Sequence, residues 1–198
     1  VHTEFSLLDG AARIKKMVKL AKQYNMPAVA ITDHGNMFGA TRFFDACKEA
    51  GIKPIFGTEF YVADDLYEKT GKQKLAHLVI LAKNEQGYKN LSMLNTIAFR
   101  DGFYYKPRID LKTLEQYHEG LVCLSACLAG DIPKLILEEQ FEKAEELTLW
   151  FKNLFGEDFY LEIQHNGIAD QEIVNAKLRE YSKKFNIKTV ATNDVHYL

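Results

Sequence analysis

Two rhythms of apolar and polar positions take turns along the 198-residue chain. From Ala11 to Tyr24 the apolar side chains fall at 14, 17, 18, 20, 21 and 24 with lysines between them, the spacing of an amphipathic helix. Asn25-Met26-Pro27 ends it, and Ala28 to Thr32 follows as a short buried strand. The same turn-taking predicts a helix over 38–50 capped by Gly51, extended segments at 53–56 and 59–62, a strand at 77–83 and a helix at 85–99. Residues 64–75 read as a polar surface excursion, and 100–110 as an aromatic and basic loop. Then come a short helix at 111–117, a buried strand at 120–125, a helix through Pro133 to Glu138, an amphipathic helix at 141–155, a strand at 159–163, a helix at 170–185 and a strand at 188–192.

Strand and helix in alternation argue for a parallel α/β sheet with crossover helices. Val1 to Asp9 reads as a strand end passing into a loop, which brings the strand count to about seven, one short of a full barrel. The expected fold is a (β/α)7 barrel, irregular or one strand short, with a doubly wound open sheet as the alternative. The length suits a single domain over 1–198. Both ends fall close to motifs, so the chain is expected to be a fragment of a longer protein.

Composition narrows this little: 47% hydrophobic and 26% charged residues are ordinary for a globular protein. No apolar run has the length of a membrane span and the amino terminus lacks a signal-peptide layout, so a cytoplasmic protein without a membrane partner is expected. The cysteines, Cys47, Cys123 and Cys127, are expected as reduced thiols. A net charge of −2 does not by itself announce a nucleic-acid binder, although bound cations would change the local field.

The candidate chemistry sits at the predicted strand ends. Asp33 and His34 follow the first apolar run, Glu59 follows the second, His77 opens the third, and Asp194 and His196 follow the last. Such side chains converge only if the strands share one face, which implies a multi-metal hydrolytic site at the C-terminal ends of the strands. A lone histidine is more often a core or surface residue than a ligand; the argument lies in the set His2, His34, His77 and His196 with Asp9, Glu59, Asp194 and Cys127. Mixed nitrogen, oxygen and thiolate donors suit Zn, Mn or Fe rather than Ca. In an extended Asp194-Val195-His196 the acid and the imidazole point the same way. Cys127, just past a strand, is balanced between packing and ligation, whereas Cys123 reads as core, His118 as surface and His165 as loop.

Four stretches then carry a resemblance: His2 to Gly10 (HTEFSLLDG), Ile31 to Gly39 (ITDHGNMFG), Gly102 to Asp110 (GFYYKPRID) and Ala191 to Leu198 (ATNDVHYL). Together they resemble the PHP (polymerase and histidinol phosphatase) domain, in the branch found at the amino terminus of the bacterial DNA polymerase III alpha subunit. The resemblance implies a distorted seven-stranded barrel with up to three divalent cations (Zn, Mn, Fe or Mg). By position, His2, Glu59 and Asp194 would share one cation with a histidine lying upstream of Val1. Glu59 would bridge to a second cation held by His77 and Cys127, and Asp9, His34 and His196 would hold the third. Asp33 is given a role beside its neighbour, orienting a ligand or relaying a proton.

The function so implied is metal-dependent phosphoester hydrolysis, 3′–5′ exonuclease proofreading on DNA, within a DNA-directed DNA polymerase. Arg100, Lys106 and Arg108 would contact phosphate while the interleaved aromatics stack on bases. DNA, the rest of the polymerase chain and other replicase subunits are the expected partners. The alternatives are a structural metal module supporting the polymerase core, and a pyrophosphatase or other small-molecule phosphatase.

Overall fold

A computed structural model describes residues 1–71 and 73–198; of the 64–75 excursion, residue 72 lies outside the described residues. The strands are β1 (Ala28–His34), β2 (Lys53–Val62), β3 (Ala76–Ala82), β4 (Arg108–Ile109), β5 (Leu121–Leu124), β6 (Phe159–Gln164) and β7 (Lys188–Thr192). The helices are α1 (Ile14–Gln23), α2 (Ala40–Ala50), α3 (Glu85–Arg100), α4 (Leu111–Gln116), α5 (Asp131–Leu137), α6 (Phe141–Phe155) and α7 (Ala169–Phe185). The hydrophobic rhythm therefore located each main element. It missed β4, which is two residues long and lies inside the aromatic loop.

One curled sheet runs in the order β1-β2-β3-β5-β6-β7, with β4 pairing beside β2. The curl is bridged by the first two residues. Thr32 N donates to Val1 O at 2.9 Å and His2 N to Val195 O at 2.8 Å, tying β1 to the segment after β7. The irregular (β/α)7 barrel expected from the sequence is the fold, with one departure from all-parallel pairing. β3 runs antiparallel to both β2 and β5. Parallel strands need a long crossover, normally a helix, and among the described residues between β2 and β3 there is no helix, so the chain doubles back.

Side-chain alternation sorts the sheet into an outer and an inner face. Outward residues such as Phe60, Leu78, Ile80, Phe159 and Leu161 pack beneath α3, α6 and α7, and Ile31 packs with Ile14, Val18 and Phe43 under α1 and α2. Inward, Val79, Leu124 and Ala126 with Leu81, Val122, Tyr160 and Val190 form a small apolar plug. That plug is the floor on which the polar rim stands.

Two glycines fix how closely α3 approaches β5. A Cβ on Gly87 would lie 1.8 Å from the Gly120 carbonyl oxygen, and Gly120 itself takes φ +71°, a left-handed value. The helix start is held there because Asn84 accepts from Gly87 N at 2.9 Å. Gly87→Ala should therefore destabilise the protein by about 1–3 kcal/mol through overpacking, read as a lower denaturant midpoint. An unchanged midpoint would mean that this approach is looser than described.

Candidate metal centre

Register places the first two candidate ligands. β1 and β2 pair with His34 opposite Glu59, so both side chains leave adjacent strands at the same height on the inner face. A slip of one residue would turn either to the outside. His34 Nδ1 lies 2.8 Å from Glu59 Oε1. His77 comes from the start of its strand, and the reversed direction of β3 puts that end on the same rim, with His77 Nδ1 2.9 Å from Glu59 Oε1. Cys127 follows Ala126, whose φ of 64° turns the chain after β5, and its Sγ stands 3.9 Å from His77 Nδ1.

The two chain ends supply the rest. His2 Nε2 lies 2.9 Å from Asp194 Oδ1 and 3.8 Å from Glu59 Oε2. Its ring stacks against those of His34 and His196, at centroid distances of 4.2 and 4.3 Å, and those two rings lie 5.6 Å from each other. Asp9 reaches His34 Nε2 at 3.1 Å and His196 Nε2 at 3.9 Å. Asp194 and His196 converge by a turn rather than by the extended alternation expected. Asp194 has a left-handed φ of 47°, and His196 Nδ1 donates to the Asp194 carbonyl at 2.7 Å. That bond leaves His196 Nε2 as its free donor atom.

Among the described residues three groups of donor atoms, each within 4.8 Å of one another, result: His2 with Glu59 and Asp194, Glu59 with His77 and Cys127, and His2 with His34 and His196. All the candidate ligands named from the sequence come to one rim. Glu59, 2% exposed, belongs to two of the groups. Burial would raise its carboxyl, but hydrogen bonds from His34 and His77 and the charges of His77 and His2 outweigh it and hold the group well below the usual carboxylate range. Burial likewise opposes the charge on His34, which its Glu59 bond nonetheless raises, and burial on Asp194 is outweighed by the hydrogen bond from His2. Burial, with the nearby charge of Glu59, pushes the Cys127 thiol up to about 12. A cation is what would make it a thiolate near neutral pH.

The donor set fits divalent cations by its chemistry: the donors of each group, drawn from imidazole nitrogens, carboxylate oxygens and a thiol, lie within 4.8 Å of one another.

Other assignments change. Asp33 is 1% exposed and points away from the rim, where Oδ1 accepts from Ser6 Oγ at 2.8 Å and from Thr3 N, and Oδ2 from Thr3 Oγ1 at 2.8 Å. It holds the loop that carries His2 and Asp9, a placement that fits the orienting role expected of it. Arg108 is 2% exposed and donates to the carbonyls of Gly102 and Leu66 at 2.8 and 3.1 Å, so it braces the loop and is not available to substrate. Arg100 is exposed and paired with Asp101 at 2.6 Å, away from the cluster. Lys106 alone of the three faces the rim: its Nζ lies 5.0 Å above the Tyr61 ring, which meets His77 edge-on at 5.3 Å. Tyr61 and Glu162 were missed. Inward alternation from Glu59 would have found Tyr61, and alternation along β6 would have found Glu162. His165 pairs with Glu172 at 2.9 Å in an exposed loop.

An α/β barrel that gathers imidazoles, carboxylates and a thiol on one rim defines the class: a scaffold whose donor groups could hold metal ions. The chain belongs to the PHP domain family, whose model matches residues 1–166. It is 52% identical to the DNA polymerase III subunit alpha of Borreliella burgdorferi and 47% identical to that of Aquifex aeolicus, each over all of this chain and 18% of the relative. The chain thus spans under a fifth of the length of these curated relatives. In fold it is similar to an amidohydrolase from Chromobacterium violaceum, with TM-score 0.62 and 14% identity over 99% of this chain and 86% of that one. It is also similar to a candidate metal-dependent phosphoesterase from Bifidobacterium adolescentis, with TM-score 0.56 and 15% identity over 98% and 85%. Among the described residues no helix is long and apolar enough to cross a membrane.

Proposed function

We propose that this chain is the phosphoesterase domain of a bacterial replicative DNA polymerase and removes nucleotides from 3′ DNA ends. The observation that carries the reading is Glu59, a buried carboxylate shared by two donor groups on one rim. His2, Glu59 and Asp194 would hold one divalent cation, Glu59, His77 and Cys127 a second, and Asp9, His34 and His196 a third. Such cations, when bound, polarise a phosphoryl oxygen and make water acidic enough to supply hydroxide near neutral pH. Lys106, beside Tyr61 at the rim, would neutralise a phosphate oxygen, and exposed Phe103 and Tyr105 offer faces for unpaired bases. DNA, the remainder of the polymerase and the replicase subunits are its proposed partners, and the bacterial cytoplasm its proposed location.

The test is hydrolysis of a 3′-labelled single-stranded oligonucleotide by the full-length, cation-loaded protein. His34→Ala should lose at least about 100-fold in exonuclease rate while nucleotide incorporation persists. Equal exonuclease rates in the two proteins would sink the assignment.

A second reading, a structural metal module, is favoured by one feature: His2 and Asp9 meet Asp194 and His196 at the cluster, so a cation there would staple the two ends of the barrel. Chelation should then lower the unfolding temperature of this domain. Both readings hold if activity and stability fall together; stability loss without any hydrolysis in the loaded protein leaves the structural one.

A further inference from the structure

Glu162 is a buried acid that no step above uses. Its neighbours on β6, Phe159 and Leu161, join the outer apolar cluster, so alternation turns Glu162 and Gln164 to the barrel interior. It is 4% exposed and pairs with no lysine or arginine among the described residues. Oε1 accepts from Gln164 Nε2 at 3.0 Å and from the Thr192 hydroxyl. Oε2 is buried and has no hydrogen-bond partner. Burial raises its carboxyl above the ordinary range; hydrogen bonds from Thr192 and Gln164 oppose this, while the charges of Asp194 and Glu59 reinforce it.

An acid in this place needs a reason. A glutamine would accept from Thr192 equally well without burying a charge, and an orphaned buried carboxylate oxygen is costly. A bound cation would supply the missing counter-charge: Asp194 and Glu59, whose negative charges reinforce the rise of the Glu162 carboxyl, are two of the three donors of one candidate cation group. Glu162 also reaches the strand that delivers Asp194, because Thr192 is the last residue of β7 and precedes the left-handed turn at Asp194.

We propose that Glu162 belongs to the metal centre as a positioning residue, raising the cation affinity of the His2–Glu59–Asp194 group through its charge and its hold on Thr192. The inference rests on the reading of that group as a cation site, not on the reaction catalysed there. Its side chain takes no part in hydrolysis and touches no substrate.

The test is cation binding by the full-length protein, measured as Zn²⁺ retained against a competing chelator, with the unfolding temperature of the cation-free protein in parallel. Glu162→Gln should weaken Zn²⁺ binding by about 10- to 100-fold, in the part of the binding that Glu59→Gln also removes, and leave cation-free stability unchanged. Glu162→Asp, which keeps the charge but shortens its reach, should fall between. Wild-type affinity in Glu162→Gln would overturn the proposal, as would an affinity loss matched by a fall in cation-free stability, which marks a purely structural acid. If wild type itself retains no Zn²⁺ that Glu59→Gln removes, the cation-site reading fails and this inference with it.

Discussion

Glu59→Gln should empty two cation groups at once. Glu59 is the one side chain common to the His2–Asp194 and His77–Cys127 groups, and its Oε1 lies 2.8 Å from His34 and 2.9 Å from His77. Glutamine preserves the shape but removes the charge and replaces one oxygen with an amide that repels a cation. The loss of affinity at both groups should exceed the roughly 10- to 100-fold typical of a residue that only supports a ligand. The exonuclease activity proposed above should fall to background. Metal content per chain is the direct measurement, and a Glu59→Gln protein that retains the wild-type count would refute the shared-carboxylate centre.

In the cation-free protein the same residue sets a pH window. The Glu59 carboxyl is held below its ordinary 4.5, so its contribution to stability is complete above that pH and is lost as the pH falls toward the folded value. His34 is raised above 6.5, so its contribution is complete below that pH and is lost as the pH rises through the raised value. The pair therefore stabilises most between these two values. The stability difference between wild type and Glu59→Gln should peak there, and a difference that is flat across about pH 4 to 8 would exclude the pair as its source.

Asp33→Asn should cost stability first and activity only as a consequence. Asp33 accepts from Thr3 N, Thr3 Oγ1 and Ser6 Oγ while almost wholly buried, and an amide can present acceptors to only some of these donors. Bonds to a buried charged acceptor are worth about 1.5–3 kcal/mol each, so a loss of about 3 kcal/mol or more is expected on chemical denaturation. His2 and Asp9 ride on the loop so released, and cation affinity should fall with it. A proton-relay residue would behave differently: Asp33→Asn would then keep its stability and metal content and lose turnover alone.

How far the sequence reached can be read from particular residues. The longer helices were legible because a polar face alternates with a regular apolar one, as in α1 with its lysines outside and Ile14, Met17, Val18 and Ala21 buried. The candidate ligands were legible as a set, since acids and histidines at the tips of apolar runs have few other reasons to be there. The reversal of β3 was not legible, because direction depends on whether a crossover helix lies between strands, and the 64–75 excursion could not be told from a long loop of either kind. Arg108 looked like a phosphate contact because charge in a loop usually faces water. Nothing local reveals that Gly102 and Leu66 would turn their carbonyls toward it.

Asp33 and His34 divide the two levels of information clearly. Periodicity and donor chemistry made both metal-capable residues at a strand tip, and determined the barrel class and the family of ligands. The resemblance already gave the two different roles; the tertiary structure shows what each face of the strand meets, His34 turning inward to Glu59 and Asp33 outward to Thr3 and Ser6. The same holds for Glu162, where the sequence shows an acid in an apolar strand and the folded sheet shows which way it faces. Composition and spacing are local properties and survive in the sequence. Convergence on one rim depends on register and strand direction, which are fixed by pairings between residues far apart in the chain.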